Sequence, residues 1–278
     1  PVVESFQGTV EDLDQHLITY HDGTTDTLFQ DGTSYATGTL ANTPSIQRIG
    51  SRGASSLSLI GKLQEIVLYD TSTRQSDRPA IEGNINAHYQ IGNFGTPTSG
   101  LLATYPDSAA AYSVRQLSNT SALAMRIVVD DQSVVGTFDS NDTNEYDIGF
   151  DANGNLDTAR IEEVCNNPGG TNYDAYVTTW YDQSGNGNHA VQAAHANMPQ
   201  ICSEGVVTTE NGKPAIAATA LQHFNVSSPP TFSDFTFTIV SKKTGTATGI
   251  IAYDNGSGYL FPARSTGSPY MQAFVTPG

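Results

Sequence analysis

The stretch Thr179–Gln192, TWYDQSGNGNHAVQ, gathers more sequence-specific residues than any other part of the chain. It holds Trp180, the only tryptophan, beside Tyr181, then a polar run of Asp182, Ser184, Gly185, Asn186, Gly187 and Asn188 before a single His189. An extended apolar segment ends at Tyr181 and the backbone must then turn sharply. Gly and Asn reach the positive φ values such a turn needs. Asp182 and Ser184 can accept from the backbone N–H groups that the turn frees.

Composition agrees with a chain of strands and turns. Charged residues are only 14% of 278, while Gly, Thr, Ser and Asn are abundant, a mix poorer in strong helix formers than a helical protein needs. The length allows one large all-β domain or two small ones. With 12 basic against 28 acidic residues the net charge is −16. Phosphate backbones would be repelled, which excludes nucleic-acid binding. The acidity, with a pI of about 4.4, suits an extracellular surface. No apolar run approaches ~18 residues, so no membrane insertion is expected. The sequence opens at Pro1 without a methionine or a signal-peptide pattern, and the expectation is a processed start or a piece of a longer chain.

Strand signals recur along the chain. Gln15–His21 runs into Asp22-Gly23 and Thr27–Gln30 into Asp31-Gly32, both hairpin signatures. Leu63–Tyr69 reads as a strand with Leu63, Glu65, Val67 and Tyr69 on one face. Ser76 reads as an N-cap with Pro79 in the first turn, and Ile81, Ile85 and Tyr89 form one helical stripe. Gly92, Gly95, Pro97 and Gly100 then mark a linker, 94–100. Beyond it, Asp107 is expected to cap an Ala-rich helix reaching about Arg115. Met125–Val129 reads as a strand, Asp139–Asp147 as a polar loop, and Thr158–Val164 as a short helix. Tyr176–Tyr181, Gln200–Cys202, Phe235–Ser241, Gly249–Tyr253, Tyr259–Phe261 and Met271–Val275 read as strands, with a turn at Gly212–Pro214.

Several residues invite a chemical reading. Asp182, Ser184, Asn186 and Asn188 fall at positions 1, 3, 5 and 7 of an EF-hand-like loop, with Gly187 at position 6, but position 12 is Ala193. Asp151, Asn153, Asn155 and Asp157 repeat the spacing with Glu162 at position 12, and their Gly154 is misplaced for the sharp turn. Hydrogen-bonded turns are the preferred reading of both, so no cofactor is assigned and calcium is the one candidate. Trp180 is read as core, since neighbouring strand residues face opposite sides. His189 lacks a second His or Cys at ligand spacing. No catalytic, cofactor or metal residue is assigned. Cys165 and Cys202 are either two buried thiols or one disulfide. Asn119, Asn141, Asn225 and Asn255 open glycosylation sequons, which matter only in a source that glycosylates them.

Between Leu101 and Ile216 the runs LLATYPDSAAAYSVRQL, EYDIGFDANGNLDTA, VTTWYDQSGNGNHAVQ, PQI and ENGKPAI resemble the opening half of laminin G-like, concanavalin-type jelly-roll modules, found in phage tail and bacterial surface proteins. In the first 93 residues HLITYHDG, SIQRIG, GKLQEIVLYD and AIEGNINAHY are similar to the closing half of the same fold. The resemblance implies an all-β, concanavalin-like jelly-roll β-sandwich with a few short helices and its halves in permuted order. Residues 1–93 would be the closing half, 94–100 the linker and 101–278 the opening half. Three readings stay open: a circular permutation that closes on itself, one register of a fibre completed by neighbouring chains, or two truncated adjacent modules.

The YDQSGNGNH run is also similar to the catalytic sandwich of fungal arabinofuranosidases, which implies two carboxylates across a glycosidic bond. The family's acid/base Asp follows an Ile-Gly-Gly run. The matching run here is Ile49-Gly50-Ser51, and Arg52 comes next; a guanidinium cannot cycle a proton near neutral pH. Glu4 and Glu11 lie near the place of the family's nucleophile without a definite alignment to it, and an arabinofuranosidase-like glycoside hydrolase stays as the alternative reading. The resemblance therefore implies a non-catalytic extracellular structural or adhesion module of a phage appendage or bacterial surface fibre. Its expected partners are copies of itself or neighbouring modules, with surface glycans as the candidate ligand.

Overall fold

The computed structural model describes residues 4–9, 15–21, 26–38, 46–50, 59–69, 76–91, 100–130, 144–219, 221–231, 235–244, 251–253 and 270–275. In chain order the elements begin with β1 (Glu4–Thr9), β2 (Gln15–His21), β3 (Asp26–Gln30), β4 (Thr33–Gly38), β5 (Ile46–Ile49), β6 (Gly61–Tyr69), helix α1 (Arg78–Tyr89) and the single turn α2 (Leu101–Thr104). They continue with β7 (Ser108–Ser113), β8 (Leu123–Asp130), β9 (Asn144–Gly149), helix α3 (Thr158–Cys165), β10 (Asp174–Trp180), β11 (Ala190–Val191), β12 (Gln200–Ser203) and β13 (Val206–Val207). The last are β14 (Thr209–Glu210), β15 (Lys213–Pro214), β16 (Ile216–Ala218), β17 (Phe224–Val226), β18 (Thr236–Lys243), β19 (Ile251–Tyr253) and β20 (Tyr270–Val275).

The protein is all-β, and every strand pairing among the described residues is antiparallel. Two long strands organise it. β6 has β18 along one side, while its other side is divided between β16 at Gly61–Leu63 and β7 at Glu65–Tyr69. β10 has β8 along one side, and its other side is divided between β12 at Ala175–Tyr176 and β11 at Thr179–Trp180. The result is one layer ordered β4-β3-β2-β18-β6-β7 and another ordered β9-β8-β10-β11-β17-β5-β19, with β12 and β16 running from one to the other.

Register shows how the layers face. Tyr112, Ile66, Ile239 and Ile18 lie opposite one another across four strands and so share a face. The Tyr112 ring meets Trp180 of the second layer at 5.7 Å between centroids, so this face is the inner one. Ser113, Glu65, Val240 and Leu17 share the opposite face, which α1 covers through Tyr89. Burial on both faces leaves nearly all of β6 and most of β18 buried, their polar residues Gln64, Glu65, Thr236, Thr238 and Ser241 included.

Strands from residues 1–93 alternate with strands from 101–278. β5 lies between β17 and β19, and β18 lies between β2 and β6. The outermost described strands of the chain meet: β1 pairs with β20 from Glu4↔Val275 to Thr9↔Tyr270. Residues 1–93 and 101–278 thus contribute strands to the same layers within one chain.

Several local expectations need correction. The residues from Asp107 to Arg115 form no helix; Ser108–Ser113 is β7, paired with β6. Alanine favours helix, but here its small side chain lets Ala111 lie buried on the face that α1 covers, and pairing overrides propensity. The helical turn comes earlier, at α2. Part of the expected 139–147 loop is β9, an outer strand whose polar residues face solvent, and 139–143 lies outside the described residues. The N-cap of α1 is Asp77, with Pro79 in the first turn as expected. The turn near residue 212 is Asn211-Gly212, flanked by β14 and β15. The Asp31-Gly32 hairpin forms, with φ of 49° and 83°. Asp22-Gly23, residues 94–99 of the expected linker, and Tyr259–Phe261 lie outside the described residues.

Candidate functional site

The polar loop after β10 is built against β7. Trp180 ends β10 wholly buried between Tyr112 and Phe224, and Tyr181 points the other way. From Asp182 the chain turns through Gly185 and Gly187, with φ of 91° and 75°. A Cβ at either glycine would meet nothing within 4 Å, so backbone conformation rather than space requires glycine there.

Among the described residues β7 has a strand partner on one side only, β6. Its other edge is satisfied by the loop. The Ala111 N–H donates to Asp182 Oδ1 at 2.8 Å, and the Ala111 carbonyl accepts from the Gln183 N–H at 2.7 Å. Asn186 Nδ2 donates to the Ser108 carbonyl at 2.8 Å, and Asn188 Nδ2 to that of Ala109 at 2.7 Å. Gln183 Nε2 reaches the Ser113 and Arg115 carbonyls at 3.2 and 3.0 Å, while its Oε1 accepts from the Leu117 N–H at 2.8 Å. The loop replaces a neighbouring strand and covers an edge that would otherwise be open to pairing.

This use of the side chains answers the calcium question at Asp182. Its Oδ1 accepts from the Ala111 and Ser184 N–H groups, and its Oδ2 from the Ser184 hydroxyl and the Asn188 N–H. Four donors aimed at one buried carboxylate leave no lone pair directed at a cation. Asn186 and Asn188 turn their amide nitrogens, not oxygens, toward β7. The second run is similar in kind: Asp151 Oδ1 accepts from the Asn153 and Asn155 N–H groups at 2.8 and 2.9 Å, and Asp157 caps α3 at the Arg160 N–H. The backbone donor at Asn155, chief among these bonds, lowers the Asp151 carboxyl below its ordinary range. Among the described residues no group of three His, Cys, Asp or Glu gathers as metal ligands would.

His189 Nδ1 accepts from the Asp182 N–H at 3.1 Å, which places its proton on Nε2, and its ring stands edge-on to Tyr181. The Tyr181 hydroxyl donates to Asp147, which also holds Arg126 through two bonds. Burial and the Asp147 bond push Tyr181 up to about 12, while the Arg126 guanidinium holds Asp147 low. Asn225 lies in β17 and accepts from Arg48, whereas Asn119 is exposed. Arg52, Glu11, Asn141 and Asn255 lie outside the described residues, as does the side chain of Glu4.

One cluster was not anticipated from sequence. Glu65, wholly buried in β6, receives Arg115 Nε at 2.8 Å and Nη2 at 3.0 Å. It also accepts from the Ser113 hydroxyl at 2.8 Å and the Tyr89 hydroxyl at 3.1 Å, and Arg115 Nη1 reaches Asn84. Burial opposes the Arg115 charge, but Glu65 outweighs it and raises the guanidinium's pKa. Burial likewise raises the Tyr89 hydroxyl. This network ties α1 to the outer face of β6 and β7. The signal in the sequence was a single acid inside the apolar run of GKLQEIVLY.

What fold and loop define together is an antiparallel β-sandwich whose polar signature loop seals an edge strand. Comparison with family models, with curated proteins and with solved structures returns no match.

Proposed function

We propose that the chain is a non-catalytic extracellular module, a segment of a phage appendage or bacterial surface fibre, folded as a laminin G-like jelly roll that completes itself in cis. The observation that carries this reading is the expenditure of the polar loop on its own fold. Asp182, Gln183, Asn186 and Asn188 bond the β7 edge, and the Asp182 carboxylate is filled by donors from the protein itself. A catalytic or ligand-binding carboxylate needs an oxygen facing its substrate. The pairing of β1 with β20 further supports a self-contained unit, whose neighbours would dock on outer surfaces rather than supply missing strands. An acidic surface with few lysines suits exposure outside the cell.

The test combines light scattering with ligand and turnover assays. The proposal expects the purified chain to remain folded as discrete particles whose association needs no ligand, and to release nothing from a chromogenic arabinofuranoside. Turnover abolished by a single carboxylate substitution would overturn it. A glycan array with a saturable signal would identify the adhesion ligand; a flat array would assign the module to assembly alone.

A further inference from the structure

We propose that Cys165 and Cys202 are a modification site, oxidised to one intramolecular disulfide by a small-molecule disulfide of the glutathione type. Cys165 is the last residue of α3 and Cys202 lies in β12, and both are wholly buried as free thiols. The backbone brings them together by two independent links. The Tyr173 N–H donates to the Cys165 carbonyl at 2.8 Å, so the loop after α3 returns to the helix end. Two residues on, Ala175 of β10 stands directly opposite Cys202 of β12. The end of α3 therefore sits over the strand that carries Cys202, close enough for each thiol to shift the other. With no third metal-ligating residue gathered among the described residues, metal binding does not compete for the pair.

The pair is also chemically asymmetric. In the folded state Cys165 lowers the Cys202 thiol, while Cys202 and burial raise Cys165. Cys202, which stays in β12 when α3 lifts away and uncovers it, is the attacking thiolate. It attacks one sulfur of the oxidant, whose S–S bond breaks, releasing one small thiol and leaving a mixed disulfide on Cys202. Cys165 then loses its proton and attacks Cys202 Sγ, expelling the second small thiol. Two protein S–H groups are oxidised and one S–S bond of the oxidant is reduced. Because both sulfurs are buried, the first attack waits for α3 to open locally, so oxidation is slow in the native state.

This inference rests on the two cysteines alone and stands or falls apart from the appendage reading. The test incubates the full reduced chain with excess glutathione disulfide in urea below the unfolding midpoint, then alkylates it in strong denaturant. The expected product has lost two hydrogens, resists alkylation at both cysteines, and yields one linked peptide pair containing Cys165 and Cys202. Closing a loop of about 37 residues should raise Tm by roughly 5 °C over the reduced protein. The Cys165→Ser variant should stop at a single glutathione adduct on Cys202. Adducts on both cysteines of the unsubstituted chain would overturn the proposal. So would linkage that forms only after complete unfolding, or two cysteines that still alkylate freely.

Discussion

Replacing Asp182 tests the role assigned to the polar loop most directly. The carboxylate accepts from the Ala111 N–H at 2.8 Å, the Ser184 N–H at 2.9 Å, the Ser184 hydroxyl at 2.7 Å and the Asn188 N–H at 3.0 Å. Ser184 is half-buried, so in an Asp182→Ala variant water can replace its two bonds. Ala111 and Asn188 are buried, and their N–H groups would be stranded. A stranded buried donor costs about 1–3 kcal/mol, and relief from keeping a charge under cover returns part of that. The net expectation is a loss of about 3 kcal/mol.

Asp182→Asn divides the effect. The amide oxygen can keep the Ala111 and Ser184 N–H bonds, whereas the NH₂ group would face the Asn188 N–H, donor against donor. A loss of about 1–2 kcal/mol follows, intermediate between the native protein and the alanine variant. Ser184→Ala, which removes only one bond to the carboxylate, should cost under ~1 kcal/mol. Urea denaturation of the three variants with a shared slope measures all of this. An alanine variant within ~0.5 kcal/mol of the native protein would refute the reasoning. So would equal losses in the alanine and asparagine variants. A calcium-dependent rise in Tm that vanishes with Asp182 would refute the donor-filled carboxylate and restore the cation reading.

Three further outcomes follow from the same structure. Arg115→Ala leaves the buried Glu65 charge without its partner and should cost about 3–5 kcal/mol by urea denaturation, while a double replacement of Glu65 and Arg115 by apolar residues should cost far less than the single change. His88 is held neutral by burial first and by the Arg115 and Lys213 charges second, with its pKa lowered from 6.5 to about 3. Above pH 6.5 the ring is neutral folded and unfolded alike; as pH falls below that value only the unfolded chain gains the proton, and stability drops toward pH 3. Urea midpoints should therefore fall between pH 7 and pH 5 by the equivalent of about 1–2 kcal/mol, and His88→Gln should remove that part of the slope. Gly187→Ala should cost only about 1–2 kcal/mol, for its positive φ in open space, whereas Gly149→Ala would place a Cβ 2.6 Å from the Ala122 carbonyl oxygen and should cost more in the same assay.

The parts of this fold that sequence reveals are those whose cause is local. β2, β6 and β18 declare themselves through β-branched and aromatic runs, α3 through the Asp157 cap, and the β3–β4 hairpin through Asp31-Gly32. β7 does not, because SAAAY has helical propensity and becomes a strand only when β6 lies beside it. β9 does not, because an outer strand with exposed Asn144, Glu145 and Asp147 carries the polarity of a loop. The loop after Trp180 was conspicuous for its polar density, but its purpose was hidden by distance. Asp182 and Ala111 are 71 residues apart in sequence, and Arg115 and Glu65 are 50 apart. No periodicity or spacing rule connects residues at such separations.

Those two long-range devices bear on how a chain whose distant segments share layers finds one structure. β6 and β7 are separated in the chain by α1 and α2 and must recognise each other. Apolar pairing alone would tolerate a slip along the strand, since β6 is buried on both faces. The Glu65–Arg115 pair removes that freedom, because a shift by one residue would turn the carboxylate to the inner face, against Trp180 and Tyr112, without its guanidinium. The Asp182–Asn188 loop then closes the far edge of β7, so the strand has a fixed partner on one side and none to offer on the other. A buried ion pair thus sets the register between β6 and β7, and a polar loop ends the layer there. That division of labour explains why so much specific sequence gathers at one loop, whose side chains bond the β7 edge and the loop's own backbone.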